Sequence, residues 1–280
     1  MMPGNTFKSS LKRFVRKIPA LEAIAYLAHN NLLYRWVNFS GDGDFSIDPE
    51  SINERCRELA ELYTGICPVP LTGKTALEIG TGRSTLTAHH FASMTGASRV
   101  YTYDFFEQVY YHIDKRVIER AFPDTGKITY IHGPGGLASI HGPVDFIFSN
   151  AVLEHAWNVR ELADEMERLS GPDTVLCHAI DFRSHKRFDA LGPLYFHVFP
   201  EGLWRMMASR TGLPNRLLMS DYRDIFQERG FNFEVLHTSR FAEEEINRAL
   251  STYLKGKFPK EAEDDLGVAT TLVRCRRVSR

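Results

Sequence analysis

The sequence carries no excess of positive or negative charge, few cysteines and no apolar stretch of membrane-spanning length. Its formal net charge is −1 over 280 residues, which excludes a global electrostatic attraction to nucleic acid. The four cysteines, Cys56, Cys67, Cys177 and Cys275, are scattered and lack the spacing of a metal or redox motif. They read as reduced thiols of a cytoplasmic protein. The apolar run near the start, Leu21 to Ala28, contains Glu22 and falls far short of the roughly 20 residues that cross a bilayer. No small-residue cleavage site stands out after it, which argues against a cleavable signal. Internal repeats and low-complexity tracts are missing. With 43% hydrophobic and 25% charged residues, the composition is that of an ordinary soluble globular protein. The length suits one α/β domain with additions.

What is present is concentrated first at Thr75-Ala-Leu-Glu-Ile-Gly-Thr-Gly-Arg83. Ala76, Leu77 and Ile79 supply a buried strand, Glu78 ends its polar lining, and Gly80 and Gly82 allow a sharp turn with close backbone approach to a ligand. From Ser84 to Met94 the chain reads as a helix with Leu86, Phe91 and Met94 available to pack. A strand, a glycine turn and a helix build a nucleotide-type pocket at the carboxyl end of a doubly wound sheet. Two relatives of this motif fail. A phosphate loop needs Gly-Lys-Ser/Thr, whereas Arg83 follows Gly82; a dinucleotide fingerprint needs a third glycine, and Thr85 stands there.

The remaining pattern, Glu78-Ile-Gly80-Thr-Gly82, resembles the first motif of the Rossmann-like (class I) S-adenosylmethionine-dependent methyltransferases. Ser84 stands where that family often has another glycine. The resemblance implies S-adenosyl-L-methionine as cofactor, with Glu78, Gly80, Thr81 and Gly82 on its methionine side. A second β-rich run, Arg99-Val-Tyr-Thr-Tyr-Asp104, ends in an acid at the position that accepts hydrogen bonds from ribose hydroxyls. Phe105 follows and is expected over the adenine, with Phe106 beside it. Ser149-Asn-Ala-Val-Leu-Glu-His155 resembles the segment after strand four of many small-molecule methyltransferases, placing Asn150 among the cofactor contacts and His155 beside the transferable methyl.

The other strands follow in order: Lys127 to Gly133, a short buried run at Val144 to Phe148, and Thr174 to Asp181. A helix is predicted over 159–169, broken by Gly171-Pro-Asp173. Another is predicted before Gly230, N-capped by Ser220, and an acidic helix from Glu243 to Lys255. The last strands, Phe231 to His237 and Val268 to Arg274, complete the expected fold class. This is an α/β, doubly wound, seven-stranded, mostly parallel sheet with an antiparallel C-terminal edge hairpin, N-terminal helices and a lid insertion after strand five. The domain division expected is 1–68 for the helical extension and 69–280 for the methyltransferase domain, with the substrate lid at about 182–219.

His178, Asp181 and His185 open that insertion, which is rich in histidine, arginine and aromatics. Three roles are open to them: ligands of a divalent ion, a general base for a hydroxyl acceptor, or strand-end structural residues. His155 competes as the base. The expectation carried forward places His155, His178, Asp181 and His185 on the catalytic side, with no metal.

The first residues, Phe7 to Ile18, are basic, with Phe7, Leu11, Phe14, Val15 and Ile18 at helical spacing. Either this helix touches anionic lipid or it packs on the core or caps the active site, and the second is the favoured expectation. Methyl transfer to a small-molecule or carbohydrate acceptor is the expected function, at oxygen rather than nitrogen. No Asn/Asp-Pro-Pro-Tyr/Phe motif follows strand four, where Ser149-Asn-Ala-Val152 stands. The alternative is a catalytically silent cofactor- or partner-binding domain. Nucleic acid is not an expected partner, and the sequence leaves the oligomeric state open.

Overall fold

The computed structural model describes residues 17–33, 48–107, 109, 117–122, 125–185, 187–208 and 213–278. The basic segment expected to form a helix from Phe7 lies outside them except at Lys17 and Ile18.

Seven strands form one sheet in the order β3-β2-β1-β4-β5-β7-β6. They are β1 (Thr75–Ile79), β2 (Arg99–Asp104), β3 (Ile128–His132), β4 (Val144–Asn150), β5 (Ser170–Asp181), β6 (Phe231–Arg240) and β7 (Val268–Arg277). The first five pair in parallel, and β7 runs antiparallel to both β5 and β6. The order reverses between β1 and β4, so a crevice opens beyond their carboxyl ends.

Strand side chains alternate between faces, and here each face has its own core. One face carries Leu77, Ile79, Ile147, Leu176 and Ile180 under helices α4 (Val159–Leu169) and α6 (Met219–Glu228). The other carries Ala76, Phe146, Phe148, Val175 and Cys177 under α2 (Pro49–Ile66) and α3 (Leu86–Thr95). Phe91 lies 4.8 Å from the Phe148 ring and 5.7 Å from Phe146, and burial of each such ring stabilises by roughly 1.5–3 kcal/mol. Tyr63 locks α2 to the site end of β4: its hydroxyl donates to the Ser149 carbonyl at 2.6 Å.

The insertion after β5 folds into two 3₁₀ turns (Asp189–Leu191 and Tyr195–Val198) and helix α5 (Glu201–Ala208). Against it packs α1 (Pro19–Ala28), with Ala23 and Tyr26 joining Phe188, Phe196, Trp204 and Met207 in one apolar cluster. The buried Glu22 carboxylate accepts the Phe188 N–H at 3.0 Å.

Three local expectations are corrected. Ser220 does not cap α6: Leu218 occupies the N-cap position, its N–H meets the Asp221 carboxylate at 2.7 Å, and Ser220 N–H donates to Asp265 at 2.7 Å. Gly171 to Asp173 belong to β5, which begins at Ser170 and absorbs them in a register irregularity opposite Val144 and Phe146. The acidic helix stops at Ser251 (α7, Glu243–Ser251), and a separate α8 (Lys260–Leu266) precedes β7.

Candidate active site

At the switch point, the turn from β1 to α3 is built on glycine for two separate reasons. Gly80 has φ +88°, and a β-carbon there would lie 2.0 Å from Val152 Cγ2. Gly82 has φ +62° and turns its N–H toward Asp104, donating to Oδ2 at 2.9 Å. The second oxygen of Asp104 accepts the Phe106 N–H at 3.0 Å. Two amides therefore fix the plane of this carboxylate.

Glu78 is held from the adjacent strand. Thr102 donates its hydroxyl proton to Glu78 Oε2 at 2.7 Å, so the 2.6 Å contact between the Thr81 and Thr102 hydroxyls must run from Thr81 to Thr102. Glu78, Thr81 and Asp104 are 6–8% exposed. The structure brings Glu78, Gly80, Thr81, Gly82 and Asp104 together at the tips of β1 and β2. Asn150, half-buried at the end of β4, borders the same crevice. Phe105 and Phe106 form an exposed edge-to-face pair, ring centroids 5.0 Å apart, on its rim.

The residues expected to do chemistry separate into three groups. His178 is corrected from base to core residue. It is fully buried in mid-β5, its Nδ1 lies 2.8 Å from Ser149 Oγ, and its ring stacks on Phe226 at 5.5 Å. Burial drives its pKa down to about 3, leaving a neutral imidazole away from the crevice. Asp181 ends β5 and is clamped by Arg183, whose Nε and Nη2 donate to its two oxygens at 2.8 and 2.6 Å. Burial would raise that carboxyl, but the guanidinium overrides it and holds the pKa below the ordinary value.

His155 and His185 do meet, with ring centroids 4.9 Å apart, and between them lies a residue that the sequence reading quoted without assigning it a role. Glu154 is 2% exposed, and its Oε1 sits 3.9 Å from His155 Nε2 and 3.8 Å from His185 Nε2. Neither carboxylate oxygen completes a hydrogen bond. Burial, reinforced by the charge on Asp181 and only partly offset by the nearby main-chain amides of Glu154 and Asp181, pushes its pKa up to about 8. His185 stands at φ +53°, and burial lowers its pKa. The acid directly before His155 was the available sequence signal.

Asn215 fixes the turn that carries Glu154 and His155. Its Nδ2 donates to the Leu153 and Ala156 carbonyls at 2.9 and 3.0 Å, and its N–H donates to the Glu154 carbonyl at 2.6 Å. Glu154, Asp181, Asn215 and Arg216 line a narrow pocket with Phe196 and His197 of the insertion. Arg216 had no signal in the sequence: its guanidinium lies over the Trp204 ring at 5.0 Å and donates to the Phe199 carbonyl at 2.6 Å.

Residues 52–237 match the family described as methyltransferase domain. The chain belongs to that family, as Glu78 to Gly82 implied, and is a methyltransferase. Solved structures share its fold. The YcgJ protein of Bacillus subtilis is 12% identical with a TM-score of 0.51, over 80% of this chain and 99% of its own. The phosphoethanolamine N-methyltransferase 2 of Haemonchus contortus, solved in complex with S-adenosyl-L-methionine, is 16% identical with a TM-score of 0.51, over 79% of this chain and 52% of its own. No curated protein matches the sequence. Among the described residues no helix is long and apolar enough to cross a membrane.

Proposed function

We propose that this methyltransferase binds S-adenosyl-L-methionine between the β1 and β2 tips and methylates a hydroxyl oxygen of a small-molecule or sugar-type acceptor. The observation that carries the cofactor reading is the pair of buried carboxylates, Glu78 and Asp104, flanking a turn whose Gly80 admits no side chain. Asp104, with its plane fixed by Gly82 and Phe106, suits two ribose hydroxyls; Glu78 suits the amino end of the methionine. The complexed Haemonchus relative adds to this reading.

When bound, the cofactor supplies an electrophilic methyl on a sulfonium, and transfer is an in-line displacement that demands alignment more than covalent help from the protein. The chain's part is to hold the acceptor at 182–219 and to remove the hydroxyl proton. His155 and His185, each with a side chain 33% exposed, are the imidazoles within the crevice that suit this task. The division 1–68 and 69–280 and a cytoplasmic setting complete the proposal, the latter in keeping with four free cysteines.

Calorimetric titration with S-adenosylmethionine, its demethylated product and NAD tests the cofactor. Binding of the first two is expected, and heat with NAD alone overturns the reading. A screen of hydroxylated metabolites with labelled cofactor then identifies the acceptor; label appearing only on amines rejects the oxygen preference.

A further inference from the structure

We propose that Glu154, His155 and His185 form a binding site for a divalent first-row transition-metal ion. The three residues come from two separate crossovers, one after β4 and one after β5, and each offers a ligand atom within 4.8 Å of the others. The Glu154 carboxylate is almost wholly buried, yet neither oxygen completes a hydrogen bond. A carboxyl buried this way is costly to ionise unless it meets a cation. The facing imidazole nitrogens stand at 3.9 and 3.8 Å, too far for hydrogen bonds. Ligand bonds of about 2.0–2.2 Å place neighbouring ligand atoms roughly 3–3.5 Å apart. Small side-chain rotations therefore close the set around an ion.

The donor chemistry is selective. Two imidazoles and one carboxylate suit iron, manganese, cobalt or zinc rather than magnesium or calcium. His185 reaches its place from a left-handed backbone, φ +53°, a conformation that costs a non-glycine residue on the order of 1 kcal/mol or more. Asn215 holds the turn bearing the other two ligands through three hydrogen bonds. Asp181 is nearby but both its oxygens are occupied by Arg183. Both histidine side chains keep a third of their surface exposed, so the ion's remaining positions face the crevice. Those positions fit two neighbouring oxygens of an acceptor, a role that rests on the methyl-transfer reading; the metal site itself does not. With the ion bound, His155 and His185 act as its ligands in place of the base role; the ion lowers the pKa of the acceptor hydroxyl, whose proton passes to solvent.

The test is titration of Co²⁺ into the full, tag-free chain after stripping with a chelator, followed by visible ligand-field absorption. One equivalent is expected to bind, with His185→Ala and Glu154→Gln each weakening affinity at least about tenfold and abolishing the band, at unchanged far-UV circular dichroism. Absence of stoichiometric uptake, or uptake unaltered in His185→Ala, overturns the proposal. Should Glu154→Gln fail to fold, His185→Ala, at a side chain one-third exposed, decides alone. A parallel titration of the metal-free chain with S-adenosylmethionine keeps the two readings apart: cofactor heat without cobalt uptake removes the metal site only, and cobalt uptake without cofactor heat removes the cofactor reading only.

Discussion

Val152 occupies the space that a side chain on Gly80 would need: a β-carbon at position 80 would lie 2.0 Å from Val152 Cγ2. The residue after β4 thus closes on the turn after β1, and the two crossovers that flank the switch point are in direct contact.

Gly80→Ala is therefore expected to destabilise by roughly 1–3 kcal/mol or more, from overpacking and from an unfavourable positive φ, and to abolish cofactor binding. Adding Val152→Ala removes the steric part and leaves the backbone part. Denaturant unfolding of the single and double variants checks this; equal stability of the two means that Val152 is not the obstacle.

Asp104→Ala is expected to weaken S-adenosylmethionine binding by about 1–3 kcal/mol, because the proposed buried acceptor of the ribose hydroxyls is lost. The variant also orphans the Gly82 and Phe106 amides, so stability must be measured alongside. Wild-type affinity in calorimetry removes the ribose role.

Acid should weaken the fold through two buried histidines. Burial holds His178 at about 3 and, with Arg216 and Lys257 adding to the effect, His197 at about 3 as well. Between pH 3 and 6.5 the unfolded chain binds these protons and the folded chain does not, so stability falls as pH falls through that window. Each histidine contributes up to about 1.4 kcal/mol per pH unit. Urea midpoints from pH 7 to 4 are expected to fall less steeply in His178→Asn, and an identical slope excludes His178 as a contributor.

Asn215→Ala is expected to lower turnover through the Glu154–His155 turn while leaving cofactor affinity close to wild type. Stability should fall by about 1–3 kcal/mol, since buried carbonyls lose their donor. A larger rise in acceptor KM than in cofactor Kd identifies the positioning role; parallel losses in both point to general unfolding.

The strands were legible because their signals are local. Continuous apolar runs mark parallel strands buried on both faces, and Gly80 and Gly82 are needed by a turn only a few residues long. The histidines were harder. His178 and Asp181 sit three apart on one strand, where the period of two sends them to opposite faces; that parity already argued against a shared site. The Ser220 cap failed because Asp221 and Asp265 took the amides at that end of α6, and Asp265 is distant in sequence. Nothing in the insertion foretold Asn215 bridging to the Leu153–Ala156 turn.

Taken alone, the order of residues determined the sheet, its switch point and the two carboxylates at adjacent strand tips, since each depends on neighbours within one strand–turn–helix unit. Tertiary structure alone decided which imidazoles meet. Glu154 and His185 belong to different crossovers, and only the parallel pairing of β4 with β5 brings the ends of those strands, and hence the two side chains, into one crevice.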